Sequence, residues 1–342
     1  MKAVRFHKNG PPDVLQYEDI NEPECGPDDV ILDVKASSVN HLDIWIRKGL
    51  PGMKMRLPRI PGCDAAGIIK FAGENVKNLP VGCRVLINPS ISCGYCEFCS
   101  DGNASMCLTY SIFGEHQDGT YSQLVSAPAK NIIQIPDNMN FETAAAAPLV
   151  YLTAWRMIIT RAKLKPSEDI LILSAGAGVG TACLQIAKIA GARVIATSSS
   201  EEKCRKLSDI GADIVINHSR EDFVKIIRDV TKKRGVDVVI DYIGKETWQK
   251  SIQSLRRGGR LVTCGATSGY DPLEDIRHIF YRQVDILGST MGSNKELYDV
   301  LKIIFNGKIK PVVDRVLPLS DAKIAHELIE KRQVFGKLVL TP

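Results

Sequence analysis

The sequence predicts an α/β protein made of a mostly β domain and a doubly wound parallel sheet, and three observations carry that prediction. Its 342 residues exceed the size at which one hydrophobic core usually stops growing, so two domains are expected. Residues up to about 147 read as short strands cut by Pro and Gly, with little helical periodicity. From about Pro148 onward, strands alternate with helical stretches, the order that gives parallel strands joined by crossover helices.

Taken in order, the first domain offers the strands KAVRF, DVILDVKASSV, AAGIIKFAG, CRVLINP, TYSQLVSAP and NIIQIP. In the second, DILIL leads through a glycine turn to the helix TACLQIAKIAG, RVIAT to EEKCRKLSDIG, and DIVIN to REDFVKIIRDVTKK. VDVVIDYIG then leads to ETWQKSIQSLRRGG, followed by the strands RLVTCGA and VDILGST. The last fifty residues read as helix ELYDVLKIIFNG, strand PVVDRVLPL, helix DAKIAHELIEKR and strand GKLVLTP, a closing β segment expected to return to the first domain. Ile170 to Ala187 is an uncharged run of 18 residues, long enough to be tested as a membrane span. Three glycines within five residues and a short, partly β-branched apolar start argue instead for a buried strand, a turn and a helix.

Composition narrows the function classes. A chain that is 44% hydrophobic and 24% charged is expected to be soluble, and its opening MKAVRFHKNG lacks the apolar stretch of a secretory signal. Ten cysteines are too few for a disulfide scaffold of this length, so a reducing cytoplasm is expected, where clustered cysteines suggest metal. A net charge of +5, from 44 basic and 39 acidic side chains dispersed along the chain, does not argue for nucleic acid.

The segment DILILSAGAGVGTACLQIAK sets Gly176, Gly178, Val179 and Gly180 between a strand and a helix. Glycines let backbone approach a pyrophosphate, which the free N–H groups and dipole of the helix N-terminus attract. The third position of a strict GxGxxG register is Thr181, so context rather than the motif carries the assignment of dinucleotide binding. An acidic residue about 20 positions on would hold the ribose hydroxyls of NAD. Ser198 stands there, followed by Ser199 and Ser200 with Lys203 and Arg205 nearby, which favours the 2′-phosphate of NADP(H); Glu201 or Glu202, one register step away, would favour NAD.

Cys93, Cys96, Cys99 and Cys107 are spaced C-x2-C-x2-C-x7-C, which can close a tetrahedral structural zinc site with no open position. An iron–sulfur run would bring its fourth cysteine after three residues, followed by Pro; here Leu108 follows. Cys25, Cys83, Cys183, Cys204 and Cys264 are isolated and read as small packing residues.

On these residues the whole chain resembles the medium-chain dehydrogenase/reductase superfamily, in its zinc alcohol dehydrogenase and quinone oxidoreductase branches. The resemblance implies a GroES-like domain of residues 1–147 and 291–342 carrying the zinc lobe, a Rossmann domain of 148–290, and a homodimer or homotetramer pairing through the strand near VDILGST. The family's alcohol dehydrogenases hold a catalytic zinc with a Cys, a His in Gly-His-Glu and usually a second Cys. The corresponding positions here are Asn40, Cys63 and Tyr151. Since a catalytic zinc needs about three protein ligands, one strong ligand implies that this metal is absent, unless His41, Asp43 or Asp64 joins Cys63 in a different site. Thr153, Cys264-Gly265-Ala266 and Ser289-Thr290-Met291 match positions that flank the nicotinamide in the family, or are ordinary loop packing.

Without a Lewis acid, conjugate reduction is the easier chemistry, because its charge delocalises into an enolate that hydrogen-bond donors can stabilise. The NxxDI pattern of Asn40 and Asp43 resembles the zinc-free quinone and enoyl reductases. The expected function is therefore NADPH-dependent reduction of an enone, a quinone or a short enoyl-CoA such as acryloyl-CoA, with Asn40 and Tyr151 orienting the oxygen. Arg47, Lys48, Lys54, Arg56 and Arg59 lie between Asp43 and Asp64 without an acidic residue, and form either a solvated loop or a receptor for CoA phosphates. A zinc alcohol dehydrogenase and a non-enzymatic cofactor-binding or RNA-binding protein are the alternatives.

Overall fold

The computed structural model describes residues 1–49, 52 and 55–342. The chain divides into two compact units, Met1–Leu149 with Ser293–Pro342, and Val150–Gly292, two residues from each division expected from sequence. No helix among the described residues is long and apolar enough to cross a membrane.

In the first unit a seven-stranded sheet runs in the order Val313–Pro318, Lys337–Thr341, Asp29–Ser38, Asp64–Ala72, Arg84–Ile87, Ile132–Gln134, and Leu124–Pro128 pairs with the front half of Asp29–Ser38. Its core joins Val4, Val39, Ile44 and Tyr121 to Ala325, Leu338 and Leu340, so the closing strand and the helix Ala322–Glu330 do return to this unit. Each such aliphatic side chain removed from water contributes about 1.5–3 kcal/mol. The registers decide what meets: Ser38 opposes Asp64 on one side and Val339 on the other. Asn40, two residues on and opening the helix His41–Lys48, is thereby brought against both neighbouring strands.

The second unit is a six-stranded parallel sheet in the order Ile214–Asn217, Arg193–Ser198, Asp169–Ile172, Val236–Ile240, Leu255–Thr263, Asp285–Gly288. Strands such as Val236–Ile240 are buried along their whole length, as expected where helices cover both faces. The order reverses beside Asp169–Ile172, and open sheets of this kind bind ligands outside the carboxyl ends of the strands at that reversal.

One element departs from expectation. The helix read through ETWQKSIQSLRRGG occupies only Trp248–Ser254, and Leu255 already belongs to the next strand. Leu255 pairs with Val236, and the Arg256 guanidinium lies 2.5 Å from the buried Asp237 carboxylate, so tertiary pairing outweighs helix propensity there.

Candidate functional site

In the Val150–Gly292 unit, the strand Asp169–Ile172 ends in a turn and the helix Gly178–Ile189 begins at the second turn glycine. The backbone N–H groups of its first turn have no intrahelical acceptor and are available to an anion. The close-packing role that the fingerprint gives its last glycine falls to Gly180 rather than to position 181. A Cβ on Gly180 would sit 2.6 Å from the Ala175 Cα, the Ala175 carbonyl oxygen and the Tyr242 hydroxyl. Gly180→Ala is therefore expected to push the helix off the strand and weaken dinucleotide binding at least about tenfold, measured by fluorescence titration.

At the end of Arg193–Ser198, Ser198 is buried and Ser199 exposed, while Ser200 caps the next helix by accepting from the Lys203 backbone N–H. The two acidic residues are already engaged. Glu201 accepts from the Asn217 amide at 2.6 Å and from Arg220 at 3.2 Å, and Glu202 pairs with Lys206. The other carboxyl ends carry Thr263, whose hydroxyl donates to the Gly265 carbonyl, half-buried Cys264, and Ser289, whose buried hydroxyl has no partner among the described residues. Burial raises the Cys264 thiol to about 12, which keeps it protonated. Thr153 reaches the Met291 sulfur at 4.0 Å, and Thr290 is exposed. Tyr151 is buried in this unit with its hydroxyl 3.4 Å from the Gln185 side-chain oxygen, and burial raises its phenol above the usual range. The anion-ready helix start and the orphaned Ser289 hydroxyl fit a pyridine dinucleotide.

The four-cysteine lobe folds as its spacing requires. The Sγ atoms of Cys93, Cys96, Cys99 and Cys107 all lie within 4.8 Å of one another, and Cys93 is 3.9 Å from Cys99. Tetrahedral zinc with bonds of about 2.3 Å sets its sulfurs about 3.8 Å apart. The Cys96 and Cys93 backbone N–H groups approach the sulfurs of Cys93 and Cys107 at 3.3 Å, donors that favour the thiolate form a metal needs. The site fits a structural zinc.

Asn40, Asp43, Cys63 and Asp64 come together in the other unit, around a residue that sequence reasoning missed. Asp64 is fully buried; its Oδ2 accepts from Asn40 Nδ2 at 2.8 Å and the Ser38 hydroxyl at 3.0 Å, and its Oδ1 from the Leu149 backbone N–H at 3.0 Å. The Lys337 ammonium, only 4% exposed, stands 3.6 Å from Asp64 and donates to the Val39 carbonyl at 2.9 Å and to Asn40 Oδ1. Asn40 Nδ2 also donates to the Cys63 sulfur at 3.3 Å. The amide expected to orient a substrate oxygen thus has both its donors taken, because a buried carboxylate must be compensated. Burial, reinforced by Asp43 and Asp64, raises the Cys63 thiol well above its usual value, so it stays protonated. Asp43 accepts from the Asn40 N–H at 2.8 Å, the Tyr121 hydroxyl at 3.0 Å and the Gly62 N–H at 3.2 Å, and burial still raises its carboxyl to about 6. Gly62 is required here: a Cβ would lie 2.3 Å from the Tyr121 ring. The Leu149 backbone N–H joins this cluster, while Tyr151, read as the third ligand position of the alcohol dehydrogenases, places its hydroxyl at Gln185.

Three of the five cations of the basic segment have acidic partners within the chain. Arg47 is buried and shares Glu330 with Lys48, each at 2.7 Å, and buried Arg59 lies 3.7 Å from Asp118. Arg56 is exposed, and Lys54 lies outside the described residues.

Comparison with known proteins agrees with this geometry. Residues 26–137 match the family model of the alcohol dehydrogenase GroES-like domain, and residues 178–306 that of the zinc-binding dehydrogenases. A solved NAD-dependent alcohol dehydrogenase superposes with a TM-score of 0.97 at 44% identity, each chain covered in full. An NAD-dependent alcohol dehydrogenase of Sulfolobus acidocaldarius is 33% identical over 99% of each chain. An acryloyl-coenzyme A reductase of Sulfurisphaera tokodaii is 28% identical over the whole of both.

Proposed function

Because the chain belongs to the medium-chain dehydrogenase/reductase superfamily and is an oxidoreductase of that type, we infer that it is an NADPH-dependent reductase of activated double bonds that works without a catalytic zinc. One observation carries this reading: the cation beside Asn40, Cys63 and Asp64 is the chain's own Lys337, and the one thiol there is held protonated.

Gly176, Gly178, Val179 and Gly180 with the following helix start would hold the pyrophosphate, Ser198, Ser199 and Lys203 the adenosine 2′-phosphate, and Thr153, Cys264, Gly265, Ser289 and Thr290 the nicotinamide. The engagement of Glu201 and Glu202 elsewhere supports NADP(H) over NAD(H). When bound, the dinucleotide supplies a hydride. Lys337, fixed in a poorly solvated position, contributes positive charge toward the oxygen on which the enolate develops, and Asn40 transmits it by accepting from the ammonium while holding Asp64 and Cys63 in line. Tyr151, kept protonated by burial, donates its O–H to the Gln185 side-chain oxygen.

The acceptor is a small molecule, an enone, a quinone or a short enoyl-CoA, the last supported by the acryloyl-coenzyme A reductase relative. A homo-oligomer belongs to the same reading. The edge strand Asp285–Gly288 pairs on one side only, and exposed Leu273, Ile276, Phe280 and Tyr281 lie just before it. So does a reducing cytoplasm, which would keep the four thiols of the zinc lobe from pairing as disulfides.

A second reading, zinc alcohol dehydrogenase, is favoured by the 44%-identical structure. Metal analysis joined to an oxidation screen separates them. One zinc per chain, with NADPH oxidised by acryloyl-CoA, crotonyl-CoA or a benzoquinone, is the expected result. Two zincs per chain, with alcohol oxidation abolished by chelation, would overturn it.

A further inference from the structure

The strands Asp169–Ile172 and Val236–Ile240 pair in parallel with Ile172 opposite Ile240, and Ile172 faces Ala196 of Arg193–Ser198 on its other side. Just past that register the middle strand turns toward its helix at Ser174, and both neighbouring strands reach it there. Ser174 has a φ of +47°, in the left-handed region that a residue with a Cβ enters only at a cost. Both of its backbone polar groups are engaged. Its N–H donates to the Thr197 hydroxyl at 3.1 Å, and its carbonyl accepts from the Tyr242 hydroxyl and the Ala177 N–H, each at 3.0 Å. The next residue is held too, since the Ala175 N–H donates to the Thr197 carbonyl at 2.9 Å.

Tyr242 reaches Ser174 from a firmly fixed backbone. Its carbonyl accepts from the Thr267 N–H at 3.3 Å. The fully buried carboxylate of the preceding Asp241 accepts from the N–H groups of Ile243 and Gly244 at 2.8 and 3.1 Å. The same carboxylate takes the hydroxyls of Thr247 and Ser251 at 2.8 and 2.6 Å. Tyr242 is only 9% exposed, and burial raises its phenol well above the usual range, so the hydroxyl keeps its proton for Ser174. That hydroxyl is also one of the atoms a Cβ on Gly180 would strike, so the turn and the start of the helix Gly178–Ile189 meet at one phenol. Rotating Ser174 out of its left-handed conformation would displace Ala175 and the glycines after it.

We propose that Tyr242 is a positioning residue for the dinucleotide: with Thr197 on the other side, its hydroxyl clamps Ser174 in the left-handed conformation that sets the turn 175–178 for a pyrophosphate. This rests on the reading of a pyridine dinucleotide at this turn, and is independent of the acceptor and of the 2′-phosphate.

Tyr242→Phe keeps the ring and removes the clamp. In calorimetric titrations of the intact protein, Kd for the dinucleotide and for ADP-ribose, which carries the pyrophosphate without the nicotinamide, is expected to rise about fivefold. Glycine adopts positive φ without the Cβ cost, so adding Ser174→Gly is expected to bring both constants back within about twofold of the wild type. Without ligand, the Ala177 amide is expected to exchange with deuterium at least about threefold faster in Tyr242→Phe, and to return toward the wild-type rate in the double variant. Tyr242→Phe with wild-type affinity overturns the clamp. So does a loss that Ser174→Gly leaves in place, which would make Tyr242 a packing residue, and so does unchanged exchange at Ala177. A wild type that binds neither NADPH, NADH nor ADP-ribose removes the dinucleotide reading itself, an outcome distinct from a wild type and a variant that bind equally well.

Discussion

Lys337→Met is expected to destabilise the protein by about 3 kcal/mol, the lower part of the range for breaking a buried ion pair. The substitution preserves most of the aliphatic length and removes the one ammonium that, among the described residues, stands beside the fully buried Asp64. Asp64 keeps its donors from Ser38, Asn40 and Leu149, which is why the loss falls toward the lower end. Asn40 Oδ1 loses its partner as well, so the amide is free to rotate away from Cys63. Urea unfolding measures the effect as a lower midpoint at unchanged slope. The double variant Lys337→Met/Asp64→Asn, with no charge left to compensate, is expected to recover about half of the loss. A single variant as stable as the wild type would mean that the ammonium does not compensate Asp64, and the reading of Lys337 as the resident cation would fall with it.

Cys99→Ala is expected to release the structural zinc and to lower the melting temperature by at least about 5 °C, the consequence of losing a few kcal/mol in a unit of this size. Residues 93–107 form no regular structure beyond the short helices Glu97–Ser100 and Ala104–Met106, so four thiolates around a zinc would be what holds the loop. Native mass spectrometry should show one zinc in the wild type and none in the variant, with proteolytic nicking confined to the lobe. Turnover per folded molecule should survive, because the lobe supplies no group to the Asn40–Cys63 cluster. A variant that keeps its zinc and its melting temperature would remove these four residues from any metal site.

What the sequence made legible follows from how far apart interacting residues lie along the chain. The four-cysteine cluster was readable because its thiols fall within fifteen residues at a spacing that a tetrahedral metal site needs. The parallel sheet was readable because each βα unit repeats the same local alternation. The polar cluster was half readable: Asn40, Asp43, Cys63 and Asp64 are neighbours in sequence, yet Lys337 is 297 positions from Asn40 and His326 is 205 from Tyr121. Such pairings arise from strand register, here Ser38 against both Asp64 and Val339, and leave no periodicity behind. The only trace of Lys337 was a lone charge opening an otherwise apolar strand. Asn40 was singled out to orient a substrate oxygen, and sequence does not show that Asp64 and Cys63 already accept from its side-chain amide.

The first unit is discontinuous, and its last strand brings Lys337 to Asp64 only after all of Val150–Gly292 has been made. During synthesis the Val150–Gly292 unit is complete first, while the β unit waits with Asp64 lacking its cation and an open sheet edge at Ser37 and Ser38, where Leu340 and Val339 later pair. That short edge thus stays uncovered until the last strand of the chain has been made.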